Sequence, residues 1–174
     1  APRGQLVSID PKTNQWTVII PQSNEVLSHV SAAGGKLFAH YLKDATTRIK
    51  VLSMSGQLEN EVQLPGLGTA SGFGGWRDDT SVFYSFSSYN YPSVAFNYDI
   101  QSKKSTVFRK PELDFEPTNS DVEQAFFSSK DGTKVPMFLV HRKGLKKDGN
   151  NPTLLYGYGG FNISLTPGFN SSVI

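Results

Sequence analysis

The sequence contains no cysteine. Disulfide bonds and thiolate metal sites are therefore excluded, and the cysteine count does not separate cytoplasm from periplasm. An excess of one charge is also missing, because 17 Lys and Arg face 15 Asp and Glu for a net charge of +2. That balance gives no support for a nucleic-acid partner. A single basic cluster is predicted to be a solvated loop, and it comprises Arg142, Lys143, Lys146 and Lys147.

Long apolar runs are absent as well. None could span a bilayer, and Ala1–Gly4 does not look like a signal peptide, so we expect a soluble protein without a membrane partner, either cytoplasmic or periplasmic. The histidines His29, His40 and His141 are scattered, and none belongs to a pair with metal-ligand spacing. We therefore predict no metal and no cofactor, and we interpret all three histidines as structural or surface residues.

What the sequence does have is a repeat. A unit of an apolar strand, a polar turn and a second strand occurs three times. The turns begin at Asp10, Ser53 and Asp99, at intervals of 43 and 46 residues. This period is typical of a four-stranded β-propeller blade. Lys36–Leu42 and Ser81–Phe86 would be inner strands. We predict a mainly β fold with a partial propeller of about three four-stranded blades, with a generic β-meander as the alternative. The repeated hairpins are predicted at 5–20, 48–64 and 93–108.

The pattern changes after the repeat. The segment 111–117 has two prolines and three acidic residues, which suggests a crossing between domains. Asp131-Gly132 then separates the strand-like runs Glu123–Ser128 and Lys134–His141, which is a strong hairpin signal. A short apolar run, Thr153–Tyr156, reads as a buried strand. The predicted domains are blades at 1–115 and the first part of an α/β-hydrolase domain at 116–174.

The most informative stretch is 154–162, Leu-Leu-Tyr-Gly-Tyr-Gly-Gly-Phe-Asn, in which the apolar run ends in a glycine-rich aromatic turn. Gly157, Gly159 and Gly160 have no Cβ, so the backbone here could approach another group closely. In α/β-hydrolases the loop after the third strand supplies part of the oxyanion hole, and this segment is similar to that loop.

Four segments carry a resemblance to the prolyl oligopeptidase family of serine peptidases. Gly68–Gly74 and Val82–Tyr89 look like a late propeller blade, Ser129–Phe138 looks like the entry into the catalytic domain, and Leu154–Asn162 looks like the oxyanion loop. The oligopeptidase B group, which cleaves after basic residues, usually has Ser-Tyr where this chain has Gly160-Phe161. The resemblance therefore points to the proline-specific branch.

The resemblance implies roles for individual residues of the loop. Tyr158 matches the tyrosine whose hydroxyl donates to the oxyanion, and Phe161 matches an aromatic wall of the proline pocket. Gly157, Gly159 and Gly160 permit the turn. No serine of this chain lies in a G-x-S-x-G elbow, so the nucleophile, aspartate and histidine are expected downstream.

The expectation is thus a fragment of a serine endopeptidase that cleaves short proline-containing peptides after proline. The rest of the same polypeptide would be needed for activity. Three alternatives stay open: a non-catalytic propeller that binds peptides, an inactive homologue, and a related oligopeptidase or peptide macrocyclase.

Overall fold

The computed structural model describes residues 2–112 and 119–171. In that part the chain forms twelve β-strands, and no helix is long and apolar enough to cross a membrane. The strands are β1 Leu6–Ile9, β2 Trp16–Ile20, β3 Val26–Ala33, β4 Lys36–Lys43, β5 Thr46–Ser53, β6 Leu58–Glu61, β7 Thr69–Gly72, β8 Ser81–Ser88, β9 Tyr91–Asp99, β10 Lys104–Arg109, β11 Ser120–Ser128 and β12 Lys134–Arg142.

Neighbouring strands pair antiparallel in four separate sheets, which are β1–β2, β3–β6, β7–β10 and β11–β12. The three repeated hairpins predicted from the sequence are confirmed as β1–β2, β5–β6 and β9–β10. The predicted inner strands are β4 and β8. The predicted number of about three four-stranded blades is wrong for the described residues: two sheets have four strands, and β1–β2 is a two-stranded outer hairpin.

The sheet β3–β6 is covered on both faces, which explains why β4 is buried almost continuously. On one face Leu37, Ala39 and Tyr41 pack with Ile20 of β2. On the other face Phe38, Ile49 and Val51 join the core formed with β8 and β9. Alternate residues of one strand point to opposite faces, so a strand buried on both sides is apolar at most positions, and His40 is the buried polar residue of β4. The sheets therefore stack face to face, as blades do.

Two glycines show how tightly these sheets approach each other. Gly56 has φ 85°, and a Cβ added there would overlap the carbonyl oxygen of Ile19 in β2. Gly35 also lies in the left-handed region, with φ 69°, but a Cβ there would meet nothing within 4 Å. Gly56 is thus required both by its backbone angle and by the neighbouring sheet, whereas Gly35 is required only by its angle.

We expect Gly56→Ala to destabilise the protein more than Gly35→Ala. Both variants place a Cβ in the left-handed region, at about 1–2 kcal/mol, and Gly56→Ala adds overpacking against the Ile19 backbone, at about 1–3 kcal/mol. Urea unfolding of both variants measures the difference. Equal losses would mean that β2 does not press on the β5–β6 turn.

Phe73 joins the two four-stranded sheets. Its side chain is fully buried, stacks on Tyr84 with ring centroids 4.4 Å apart, and lies 5.6 Å from the ring of Phe38. The residue follows β7 with a φ of 63°, which is uncommon for a residue other than glycine. Its N–H donates to the carbonyl of Phe83, and its own carbonyl accepts from Ser31. The backbone is therefore held so that this ring enters the space between the sheets.

One predicted strand is wrong. The run Thr153–Tyr156 forms no strand, and Leu154, Leu155 and Tyr156 are 86, 84 and 74% exposed. Apolar sequence alone does not make a strand, because the backbone groups need a ladder partner and no described strand pairs with this run. The predicted crossing segment 111–117 and the domain boundary at 115 lie largely or wholly outside the described residues.

Candidate functional site

The hairpin β11–β12 leads into residues 154–162, the candidate loop. Its register runs from Ser120 opposite Arg142 to Ser128 opposite Lys134. Gly132 has φ 83° and its N–H donates to the Ser129 carbonyl, so the predicted Asp131-Gly132 turn is confirmed. The Ser129 hydroxyl and the Thr133 N–H both donate to Asp131, which lowers the pKa of that carboxyl to about 2.

This hairpin packs against one end of the blades. Asn90, in the β8–β9 turn, donates from Nδ2 to the carbonyl of Ser120 at 2.7 Å. Gln124 donates from Nε2 to the carbonyl of Asp44, in the β4–β5 turn, at 2.6 Å. A depression of about 260 Å³ lies at the junction. It is lined on the blade side by Leu67, Phe86, Ser88 and Tyr91 and on the β11 side by Asp121 and Val122.

The far side of the candidate loop is also tied to the blades. Pro167 is fully buried, and its carbonyl accepts from Thr69 Oγ1 of β7 at 2.7 Å. The N–H of Phe169 donates to Ser87 Oγ of β8 at 3.0 Å. On the near side, Lys147 of the basic cluster pairs with Glu123 of β11 at 2.6 Å. The loop therefore spans two fixed points, the β11–β12 hairpin and the β7–β8 edge.

Between these points the site residues face solvent. Phe161 is 91% exposed and Tyr158 is 48% exposed. The Tyr158 hydroxyl lies beside Gly160, 3.5 Å from the position that a Cβ on that glycine would take. The structure thus brings Tyr158 and Gly160 together, while neither Tyr158 nor Phe161 lines the depression at the junction.

The turn itself lies one residue later than the glycines suggest. Phe161 and Asn162 are both left-handed, with φ of 53° and 55°, and the Ile163 N–H closes the turn on the Gly160 carbonyl at 3.1 Å. Two left-handed central residues characterise a type I′ turn. Asparagine adopts this region readily, so Asn162 was a usable sequence signal. A phenylalanine there is strained by about 1–2 kcal/mol, and such strain clusters at functional sites.

No histidine of the described residues is placed to activate a serine. His141 contacts the Arg142 carbonyl through Nδ1 and the Glu123 carboxylate through Nε2, and these contacts raise its pKa. His40 is buried, and its Nε2 has no hydrogen-bond partner. His29 is exposed and contacts the ring of His40. In residues 2–112 and 119–171 no group of three or more His, Asp or Glu is arranged to hold a metal ion.

The buried His40 makes stability depend on pH. Burial disfavours its charged form and the nearby His29 adds repulsion, so its pKa falls from 6.5 to about 4. Between these values the unfolded chain binds a proton that the folded chain does not, and stability therefore falls as the pH drops. We expect His40→Gln to remove about 1–2 kcal/mol of the stability difference between pH 7.5 and pH 5. Urea unfolding at both pH values tests this, and an unchanged pH dependence in the variant would contradict it.

Comparison with known proteins gives a consistent result. The family described as prolyl oligopeptidase, N-terminal beta-propeller domain, matches residues 1–111. The prolyl endopeptidase of Elizabethkingia miricola is 48% identical over 92% of this chain, which spans 23% of that relative. The prolyl endopeptidase of Elizabethkingia meningoseptica is 44% identical over 98% of the chain and 24% of the relative.

Solved structures agree. A prolyl endopeptidase structure that is 43% identical superposes on the whole chain with a TM-score of 0.91, and the chain covers 26% of it. Prolyl oligopeptidase B of Galerina marginata, bound to a 25mer macrocyclization substrate, is 27% identical with a TM-score of 0.90, and the chain covers 25% of it. The chain thus spans about a quarter of the length of these relatives. The repeated blades, the family match over residues 1–111 and these identities establish that the chain belongs to the prolyl oligopeptidase family.

Proposed function

We propose that the complete protein is a serine endopeptidase that hydrolyses short peptides on the carboxyl side of proline. The observation that carries this proposal is the 48% identity to a prolyl endopeptidase over 92% of the chain. In this proposal residues 1–115 supply propeller blades that restrict access to short peptides. Residues 116–174, with the β11–β12 hairpin and the candidate loop, begin the α/β-hydrolase domain.

Tyr158 is proposed as an oxyanion donor. Its ring is about half exposed, so a ligand can reach the hydroxyl, and Gly160 beside it carries no side chain that would block the approach. A fixed hydroxyl aimed at a developing negative charge is typically worth about 2.7–4 kcal/mol in the transition state. A Cβ added at Gly157 or Gly159 would meet nothing within 4 Å, so the backbone on either side of Tyr158 is also open to a ligand.

Phe161 is proposed as a wall of the pocket for proline. The pyrrolidine ring offers no N–H donor, so its recognition depends on shape and apolar burial, which a flat aromatic ring provides. Phe161 presents 91% of its surface to solvent, and its backbone is left-handed, which carries a steric penalty. Covering this ring with a substrate would recover burial energy that the described chain leaves unused.

The nucleophile belongs to another part of the polypeptide in this proposal. The rings of His29, His40 and His141 accept no hydrogen bond from a serine in the described residues, and the sequence has no G-x-S-x-G elbow. Serine, histidine and aspartate from elsewhere would form and hydrolyse the acyl-enzyme, while Tyr158 stabilises each tetrahedral intermediate.

Mass spectrometry of the products tests the proposal. The complete protein is incubated with a peptide that contains one internal proline and, separately, with the same peptide carrying alanine at that position. We expect a linear product that ends in proline, and no cleavage of the alanine peptide at that site. Cleavage elsewhere, or no cleavage of the proline peptide, would contradict the proposal.

Peptide cyclisation is the second candidate, because a relative in Galerina marginata is named a dual function macrocyclase-peptidase and is 28% identical over the whole chain. An acyl-enzyme can be released by water or by the amino terminus of the same peptide. In the second case the proline carbonyl forms a peptide bond with that amino terminus. The cyclic product is then lighter than the linear product ending in proline by one water. A ring as the main product of a longer peptide would favour this candidate over hydrolysis.

The 174-residue chain alone is expected to have no peptidase activity. Without a nucleophile elbow it should neither release the chromophore from a succinyl-Gly-Pro substrate nor react with a fluorophosphonate probe, whereas the complete protein should do both. Turnover, or covalent labelling of any serine between Ser8 and Ser172, would show that this part of the chain carries a nucleophile after all.

A further inference from the structure

A β-bulge in the strand β3 places two histidines opposite each other. In the register of β3 with β4, Leu27 faces Tyr41, and the next pair is His29 with His40, so Ser28 is the extra residue. The Ser28 hydroxyl donates to the carbonyl of His40 at 2.9 Å. Without the bulge Ser28 would face His40. Bulges re-aim side chains, and this one brings His29 instead of Ser28 opposite His40.

The two imidazoles are close enough to share a ligand. Their ring centroids are 5.2 Å apart, with an angle of 65° between the planes. Two imidazole nitrogens that bind one zinc ion at about 2.1 Å with tetrahedral geometry place the ring centroids about 5 Å apart. Side chains of directly opposed residues share one face of the sheet, so both rings project to the same side.

Besides its contact with His29, the His40 ring packs edge to face against the ring of Phe73, with centroids 5.6 Å apart. His40 is 6% exposed, and its Nε2 is buried without a hydrogen-bond partner, which is costly for a polar atom. His29 is exposed, so an ion can approach from its side.

We propose that His29 and His40 form a two-imidazole site for a divalent transition-metal ion of the zinc, nickel or copper class on the β3–β4 hairpin. Imidazole nitrogens suit these ions, and water would fill the remaining positions. The site lies on a blade, far along the chain from the loop 154–162, and goes beyond the proposed peptidase activity. It would fasten β3 to β4 at the bulge, where the strand pairing is interrupted.

Calorimetric titration with Zn²⁺ tests this site. The complete protein is stripped with a chelator and titrated at pH 7.5 as wild type, His29→Asn and His40→Gln. Removing a residue that only hydrogen-bonds to a metal ligand typically weakens metal affinity about 10–100-fold. Removing a ligand itself should therefore weaken the affinity of one site for Zn²⁺ by at least about tenfold. Wild type should therefore bind one more Zn²⁺ than either variant. The melting temperature of the wild type should rise with Zn²⁺ more than that of either variant.

His141→Asn is the matched control, since His141 is the third histidine of this chain and pairs with Glu123 instead. It should bind Zn²⁺ with the stoichiometry of the wild type. His29 is exposed, so His29→Asn should fold even if His40→Gln does not, and it decides the question alone in that case. The same stoichiometry and affinity in wild type and His29→Asn would overturn the proposal, as would a loss of the site in His141→Asn.

Discussion

Tyr158→Phe in the complete protein is expected to lower kcat by about 10²–10³, with KM little changed. The substitution removes one hydroxyl and almost no volume, and the side chain is half exposed, so the fold should persist. A donor to the oxyanion acts mainly in the transition state, so its loss appears in kcat and not in substrate affinity. The loss should be larger for a substrate with a poor leaving group, for which formation of the tetrahedral intermediate limits the rate. Steady-state kinetics with an amide and an ester of the same proline peptide measures both effects.

Tyr156→Phe is the control for this prediction. Tyr156 precedes the same turn, is 74% exposed and has no proposed catalytic role, so the variant should keep most of its activity. Equal losses at Tyr156 and Tyr158, or a change in KM alone, would mean that Tyr158 serves packing or binding.

Phe73→Ala is expected to destabilise the protein by about 3–5 kcal/mol, the usual loss for a phenylalanine removed from a core. The ring is fully buried and stacks on Tyr84 while contacting Phe38 of the other four-stranded sheet, so its loss leaves a cavity between two sheets. Urea unfolding of the complete protein measures the effect.

Two further variants sharpen this prediction. Phe83→Ala removes a phenylalanine that is 51% exposed. Its loss in free energy of unfolding should therefore be less than about half of the loss in Phe73→Ala. Phe73→Gly should be no worse than Phe73→Ala, because glycine relieves the left-handed strain at φ 63°. Similar losses for Phe73→Ala and Phe83→Ala would mean that Phe73 does not join the sheets.

The strands were predictable from sequence where a polar turn separates two alternating runs. Asp131-Gly132 predicts its hairpin because a tight turn of this kind fixes the register of the strands beside it. The inner strand β4 was predictable because it precedes the repeat turn at Ser53 by about one hairpin, and its largely apolar sequence fits a strand covered on both faces. These signals are local, and short-range geometry is enough to interpret them.

The errors concern features that depend on distant partners. Thr153–Tyr156 has the sequence of a strand, but a strand also needs a neighbour to pair with, and no described strand takes that position. The pairing of His29 with His40 depends on a bulge at Ser28 that shifts the register by one residue, which composition does not reveal. The roles proposed for Tyr158 and Phe161 rest on resemblance to a family, since spacing alone cannot distinguish an oxyanion donor from a packed tyrosine.

The central claim is that this chain belongs to a peptidase specific for proline, and the ratio of specificity constants tests it most directly. The complete protein is assayed with succinyl-Gly-Pro, succinyl-Gly-Ala and succinyl-Gly-Arg substrates that carry the same chromogenic leaving group. We expect kcat/KM for the proline substrate to exceed that of the others by at least about tenfold, since a pocket shaped to one side chain discriminates by that much or more. Equal values for proline and alanine, a preference for arginine, or no turnover of any of the three would contradict it.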